Sequence, residues 1–240
     1  MDWLTPERYA AAIRSETARF AAALVRRDDA EQIVTCPEWT VRDLATHVGT
    51  GHRLAAGIIE ERRDSMAEYV LVDAPPEQPD WPEWLDEGVT RLNAAVDDLG
   101  FHGRVWTWMP QHQIAGFWQR RMLHDLIVHR FDADPDGRIA DLDIDLAADG
   151  VADMLLTLEY FKRPTGTGET VQFQATDTGQ GWHVTLHPGG ISWRPETAPA
   201  DVTIEAPVKD LLLIINRRRV PEMIEGNAAL YDHWRTNTQF

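Results

Sequence analysis

Asp125 and His129 stand four residues apart in the stretch Ala-Gly-Phe-Trp-Gln-Arg-Arg-Met-Leu-His-Asp-Leu-Ile-Val-His-Arg-Phe-Asp, which covers 115–132. Residues three and four apart are surface neighbours on an α-helix, so Trp118, Met122, Asp125 and His129 share one stripe. Phe117, Leu123, Leu126, Ile127 and Val128 make most of the remaining circumference apolar. A helix that is apolar nearly all round is a buried one. A carboxylate and an imidazole on it then need something to offset their desolvation. A shared divalent cation is one such partner. An internal Asp–His hydrogen bond is the other, and this stretch alone leaves both open.

A third donor comes from upstream. Thr40 and Asp43 form a capping box, with Asp in the place of the usual Glu, and start a helix at Val41. Val41, Leu44, Val48, Leu54, Ala55 and Ile58 form its apolar face, and His47 falls within that face. His52 sits at the edge of the face and makes no comparable claim. An inward histidine is more often a hydrogen-bonded core residue than a ligand. Beside Asp125 and His129, however, His47 completes a set of two nitrogens and one carboxylate. That set leaves a fourth tetrahedral position open, the pattern of catalytic rather than structural zinc.

The elements that must position these donors read as helices. Thr5-Pro6-Glu7 is a helix start, with Tyr9, Ile13, Phe20 and Leu24 recurring behind it to about Arg27. Residues 28–35 read as a turn region. A Pro-rich loop over 73–80 leads to a third helix at Trp81-Pro82, with its stripe on Trp84, Leu85, Val89, Leu92, Val96 and Leu99 and a stop at Gly100. Residues 103–110, with Trp106 and Trp108, read as an ordered loop before the fourth helix, about 114–131. Four helices on such connections predict an antiparallel bundle.

After Phe131 the composition changes. Residues 132–143 are acidic and loop-like, and helical spacing returns with Leu146, Val151, Met154, Leu155 and Leu158. Alternation at 171–175 and 182–186, and the β-branched run at 202–204, predict strands. Helices are expected over 208–217 and 227–236. The reading is an α+β protein, with a four-helix bundle over 1–140 and a small α/β domain over 141–240.

Composition narrows the function classes. At 240 residues the chain is long enough to bury a core, and its 43% apolar content is ordinary. No run reaches the ~20 apolar residues that span a bilayer, so no membrane partner is expected. The N-terminal Met-Asp-Trp-Leu-Thr-Pro does not have the form of a signal peptide. A single cysteine, Cys36, excludes an intrachain disulfide and fits a reducing cytoplasm. The net charge of −16 argues against nonspecific nucleic-acid binding. Ten tryptophans read mainly as packing.

The segment Cys36-Pro-Glu-Trp-Thr-Val-Arg-Asp-Leu-Ala-Thr-His47-Val resembles the entry to helix two of the mycothiol-dependent maleylpyruvate isomerase family. Residues 116–132 resemble that family's helix-four signature. Asp201-Val-Thr-Ile, Leu211-Leu-Leu-Ile-Ile-Asn-Arg217 and Ile224-Glu-Gly-Asn are similar to its C-terminal domain. The resemblance implies a DinB-like bundle carrying a divalent metal, usually zinc, on His, Glu and His, followed by an α/β domain. Carried over, the ligands are His47, Asp125 and His129, with Asp125 where the family usually has Glu. Asp is shorter by one methylene, so the helix sits closer, or the metal is held more weakly or differs. The resemblance also implies Arg217 as a holder of an anionic substrate; a solvated place in the basic run 217–219 is the competing reading. Asp132 is an expected acceptor for an imidazole N–H. Arg120 and Arg121 are expected as internal charge partners for Asp125.

Two further motifs compete for attention. Asp132, Asp134, Asp136, Gly137 and Asp143 match the spacing of an EF-hand calcium loop over 132–143, against which stand Pro135, Asp in the twelfth place and the lack of a partner hand. Cys36 has the chemistry of a nucleophile but no base near it in sequence, so packing beside the helix cap is expected. The function that follows is a metal-dependent isomerase or S-transferase. Mycothiol, or another low-molecular-weight thiol, would be its co-substrate, and a small electrophile its substrate. The alternative is a non-enzymatic small-molecule-binding protein on the same scaffold.

Overall fold

The computed structural model describes residues 3–134, 136 and 139–238. The chain divides into two compact units, Leu4–Ile139 and Ala140–Phe240, the second counted with Met1–Trp3.

The first unit holds helices α1 (Pro6–Leu24), α2 (Val41–Glu60), α3 (Trp81–Leu99) and α4 (Ala115–Ala133). Their starts follow from the caps. The Thr5 hydroxyl accepts from Arg8 N at 3.3 Å, with Pro6 in the first turn. At α2, Asp43 N donates to Thr40 Oγ1 at 3.2 Å while Thr40 N donates to Asp43 Oδ2 at 2.8 Å, the expected reciprocal box. The turn region before it contains a short antiparallel ribbon, β1 (Gln32–Ile33) with β2 (Cys36–Thr40), which runs directly into the cap. In α1 and α4, Glu16 and Arg130 are both buried and paired at 2.5 Å. Arg27 Nη1 donates to the last-turn carbonyl of Asp132 at 3.1 Å, so the end of α1 caps the end of α4. Helices α2 and α3 approach closely at Gly49, where an added Cβ would stand 2.0 Å from the Trp84 ring. The loop after α3 is ordered by Gln113, whose amide donates to Thr107 O and Met109 O at 2.8 Å each.

The second unit contains α5 (Ile144–Tyr160), β3 (Thr170–Ala175), β4 (Gly181–His187), β5 (Gly190–Arg194), β6 (Val202–Ala206), α6 (Val208–Ile215), β7 (Ile224–Gly226) and α7 (Ala228–Asn237). The sheet order is β5-β4-β3-β6-β7, with β3 and β6 parallel and the other pairs antiparallel. Val171, Phe173, Trp182, Val184, Leu186, Val202 and Ile204 are buried along the sheet, and the apolar run 211–215 of α6 is buried with them. Strands β5 and β7 go beyond the sequence reading, and α6 ends before Arg217. The fold is thus α+β, a helical unit followed by a sheet-bearing one. Among the described residues no helix is long and apolar enough to cross a membrane.

Candidate metal centre

His47 from α2 and Asp125 and His129 from α4 come together at one place. Each presents a donor atom, and the three atoms lie within 4.8 Å of one another. His47 Nε2 is 3.2 Å from Asp125 Oδ2, and His129 Nε2 is 3.7 Å from the same oxygen. Ligands at ~2.1 Å around a tetrahedral cation stand about 3.4 Å apart, so these separations fit one ion without large movement. The His47 and His129 rings meet edge-on, with centroids 4.8 Å apart. Trp39, the last residue but one of β2, lies over both, 4.7 Å from the His47 ring and 5.6 Å from that of His129.

The electrostatics favour an ionised Asp125. Burial works to raise the Asp125 pKa, but His129, His47 and Arg121 together hold it well below the ordinary carboxylate range. Burial works to lower His47, yet the hydrogen bond and charge of Asp125 prevail and raise it. Arg121 Nη2 donates to Asp125 Oδ1 at 3.2 Å, leaving Oδ2 on the histidine side. The Asp125 and His47 side chains remain 31% and 34% exposed, so small molecules can reach them. In α4 the half-buried residues are Arg121, Met122 and Asp125. The expected all-round burial of this helix therefore fails on one side, where the site opens.

Behind the three donors, His129 Nδ1 donates to Asp132 Oδ2 at 2.9 Å. Asp132 also accepts from Thr35 Oγ1 at 2.5 Å and from Cys36 Sγ at 3.7 Å. Cys36, His129 and Asp132 form a second donor group, but it shares His129 with the first. Because the proton on Nδ1 is held by Asp132, the free lone pair of His129 is on Nε2, facing Asp125. The first group is therefore the better cation site.

Several expectations change. Arg121 is a partner of Asp125, with Nη2 3.2 Å from Oδ1. Asp132 belongs to α4, with its carboxylate held by Thr35, Cys36 and His129, so it is engaged away from the acidic loop that the EF-hand reading needs. Pro135 and Gly137 of that loop lie outside the described residues. His52 is not at an edge but buried at 1% exposure, against α3 at Gly88. Arg217, in the second unit, is exposed and takes a left-handed conformation, φ 64°, just after α6. Trp39 was missed as a site residue, although its place beside the α2 cap was a usable signal.

A helical bundle with a His-Asp-His cluster, joined to a mixed five-stranded α/β unit, is the class that fold and site define. Residues 10–134 match the family described as Mycothiol maleylpyruvate isomerase N-terminal domain, and the chain belongs to that family. Residues 162–230 match the SCP-2 sterol transfer family. The crystal structure of the mycothiol-dependent maleylpyruvate isomerase is similar at TM-score 0.65 and 14% identity, with 90% of each chain covered. A variant described with a single histidine-to-alanine substitution is similar at TM-score 0.62 and 13% identity, with 88% of each covered. These likenesses show the fold. No curated protein matches the chain in sequence.

Proposed function

We propose that the protein is a metal- and mycothiol-dependent isomerase acting on a small electrophile, in the manner of maleylpyruvate isomerisation. The convergence of His47, Asp125 and His129 at tetrahedral spacing in a partly open site carries this reading. A divalent cation held there, zinc by its donor set, would lower the pKa of a thiol and supply thiolate at neutral pH.

The chain's own residues do the remaining work. Asp132 holds the Nδ1 proton of His129, Arg121 balances Asp125, and Trp39 covers the imidazoles on one side. Thiolate sulfur adds to an electrophilic carbon of a C=C bond conjugated to a carbonyl. Rotation about the resulting single bond and expulsion of the thiolate then give the isomer. Arg217 is our candidate for holding a substrate carboxylate. A product that kept the thiol would instead make the protein an S-transferase. Asp125, shorter than the family's usual Glu, is expected to weaken the hold on the cation. A reducing cytoplasm suits the lone cysteine and a thiol co-substrate.

Elemental analysis of protein purified without added metal, combined with turnover of maleylpyruvate with and without mycothiol, tests the proposal. About one zinc per chain and thiol-dependent isomerisation are expected. Absence of metal, or turnover indifferent to thiol, overturns it. A second reading, ligand binding without turnover, draws support from the match of residues 162–230 to a sterol transfer family. Stoichiometric binding of a ligand with no thiol-dependent chemistry would favour it.

A further inference from the structure

Trp39 is the residue through which the β1–β2 ribbon reaches both helices of the candidate centre. The ribbon itself is fixed at two places. Gln32 pairs with Thr40 and Ile33 with Cys36, and Thr40 goes on to cap α2. Thr35 and Cys36 donate to Asp132 in the last turn of α4. Between these ties the Trp39 indole lies 4.7 Å, centroid to centroid, from the His47 ring on α2 and 5.6 Å from the His129 ring on α4. Its plane is tilted by 39° and 40° to theirs, whereas the two imidazoles meet each other nearly edge-on at 77°. Trp39 is half-buried.

Two other indole faces of the same unit carry a cation. The Arg42 guanidinium lies 5.1 Å from the ring centroid of Trp81, and that of Arg53 lies 4.2 Å from Trp84. Over Trp39 there is no Arg or Lys among the described residues; the rings against it are the two imidazoles. An aromatic face is electron-rich and attracts positive charge within about 6 Å of its centroid, Trp most strongly. Both imidazoles lie inside that range. A neutral imidazole gains little from such a contact. One that has given its ring lone pair to a divalent cation carries part of the positive charge and gains more.

We infer that Trp39 is a positioning residue of the metal centre: its indole face stabilises the His47 and His129 imidazoles in the form that holds a cation. This rests on the metal reading of His47, Asp125 and His129, and not on the reaction proposed for them. The contact raises cation affinity because the loaded rings gain more from it than the empty ones. It also joins β2 to one ligand on each of two helices, which holds the two rings against a common surface. Trp39 acts through the imidazoles rather than on the substrate.

The test separates the charge of the ring face from its bulk. Trp39→Phe is compared with pentafluorophenylalanine introduced at the same position, which keeps a similar shape but reverses the polarity of the face. Zinc affinity is measured by chelator competition at about pH 8, above the ordinary imidazole range, so that zinc rather than a proton is the cation compared. Trp39→Phe should bind zinc a few-fold more weakly than the parent, and the fluorinated ring about tenfold more weakly than Trp39→Phe. Trp193→Phe, a control in the second unit, should bind as the parent does. Zinc should also perturb the near-ultraviolet absorption of the parent, and Trp39→Phe should lose most of that difference spectrum. If Trp39→Phe does not fold, a fluorinated tryptophan at position 39 makes the same comparison in an unchanged shape. Equal zinc affinity for a ring and its fluorinated form would reduce Trp39 to packing and overturn the inference, while the metal site stood. A parent protein that binds no zinc would sink the metal reading and the inference with it.

Discussion

The His129 imidazole is held between two carboxylates, with Nδ1 2.9 Å from Asp132 Oδ2 and Nε2 3.7 Å from Asp125 Oδ2. A carboxylate can only accept, so Asp132 fixes the proton on Nδ1 and presents the Nε2 lone pair to the centre. Thr35 and Cys36 in turn hold Asp132, which ties the ribbon ahead of α2 to the last turn of α4.

Replacing Asp132 should therefore weaken the centre without removing a donor from it. Asp132→Asn can still accept through its oxygen but loses the charge that raises imidazole basicity. Zinc affinity should drop about 10- to 100-fold. Competition titration with a chromophoric chelator measures this. An unchanged affinity would mean that the His129 orientation is set by packing alone.

The three proposed ligands should behave as a unit. His47→Ala, Asp125→Ala and His129→Ala are each expected to release zinc, and a double variant should add little to either single one. Asp125→Glu restores the family's usual ligand and should retain zinc, bound more tightly. His124→Ala serves as a control with normal metal content. If His47→Ala kept stoichiometric zinc and His124→Ala lost it, the ligand assignment would be wrong.

Much of this arrangement was legible from the chain because local chemistry dictated it. The Thr40–Asp43 box fixes where α2 begins, and so the face on which His47 stands; the four-residue step from Asp125 to His129 needs only helical geometry. The position of Asp132, three residues on from His129, follows from the same spacing. What could not be read depends on how helices meet. The burial of His52 requires the approach of α3 at Gly88, and the opening beside Asp125 requires an incomplete cover over Arg121 and Met122. Strands β5 and β7 have 5 and 3 residues and occupy the sheet edges, too short for periodicity to register.

The contact between α2 and α3 gives a test of packing away from the centre. Gly49 faces the Trp84 ring, and the Arg53 guanidinium lies 4.2 Å from the centroid of that ring. A methyl group 2.0 Å from Trp84 atoms cannot be accommodated without moving the ring. Gly49→Ala should cost about 1–3 kcal/mol despite the higher helix propensity of alanine. Urea denaturation reads the difference, and a stabilised variant would contradict the close approach.

His52 is expected to contribute one part of the pH response of the bundle. It is 1% exposed, and neither ring nitrogen has a hydrogen-bond partner among the described residues. Burial pushes its pKa down to about 4; the negative charge of Asp125 opposes this, while Arg53 and His47 reinforce it. The neutral imidazole is thus the folded form, and protonation favours the unfolded chain. Above pH ~6.5 the group contributes no pH dependence, because it is neutral in both states. As pH falls from ~6.5 towards 4, the unfolded chain takes up a proton that the folded one refuses, and stability is lost by up to roughly 3 kcal/mol. His52→Leu should remove that part of the acid limb while leaving the carboxylate-driven part below it. Urea midpoints from pH 7.5 to 4.5, taken with and without chelator to separate metal release, would show it. If parent and variant lose stability in parallel across that range, His52 is not the group responsible.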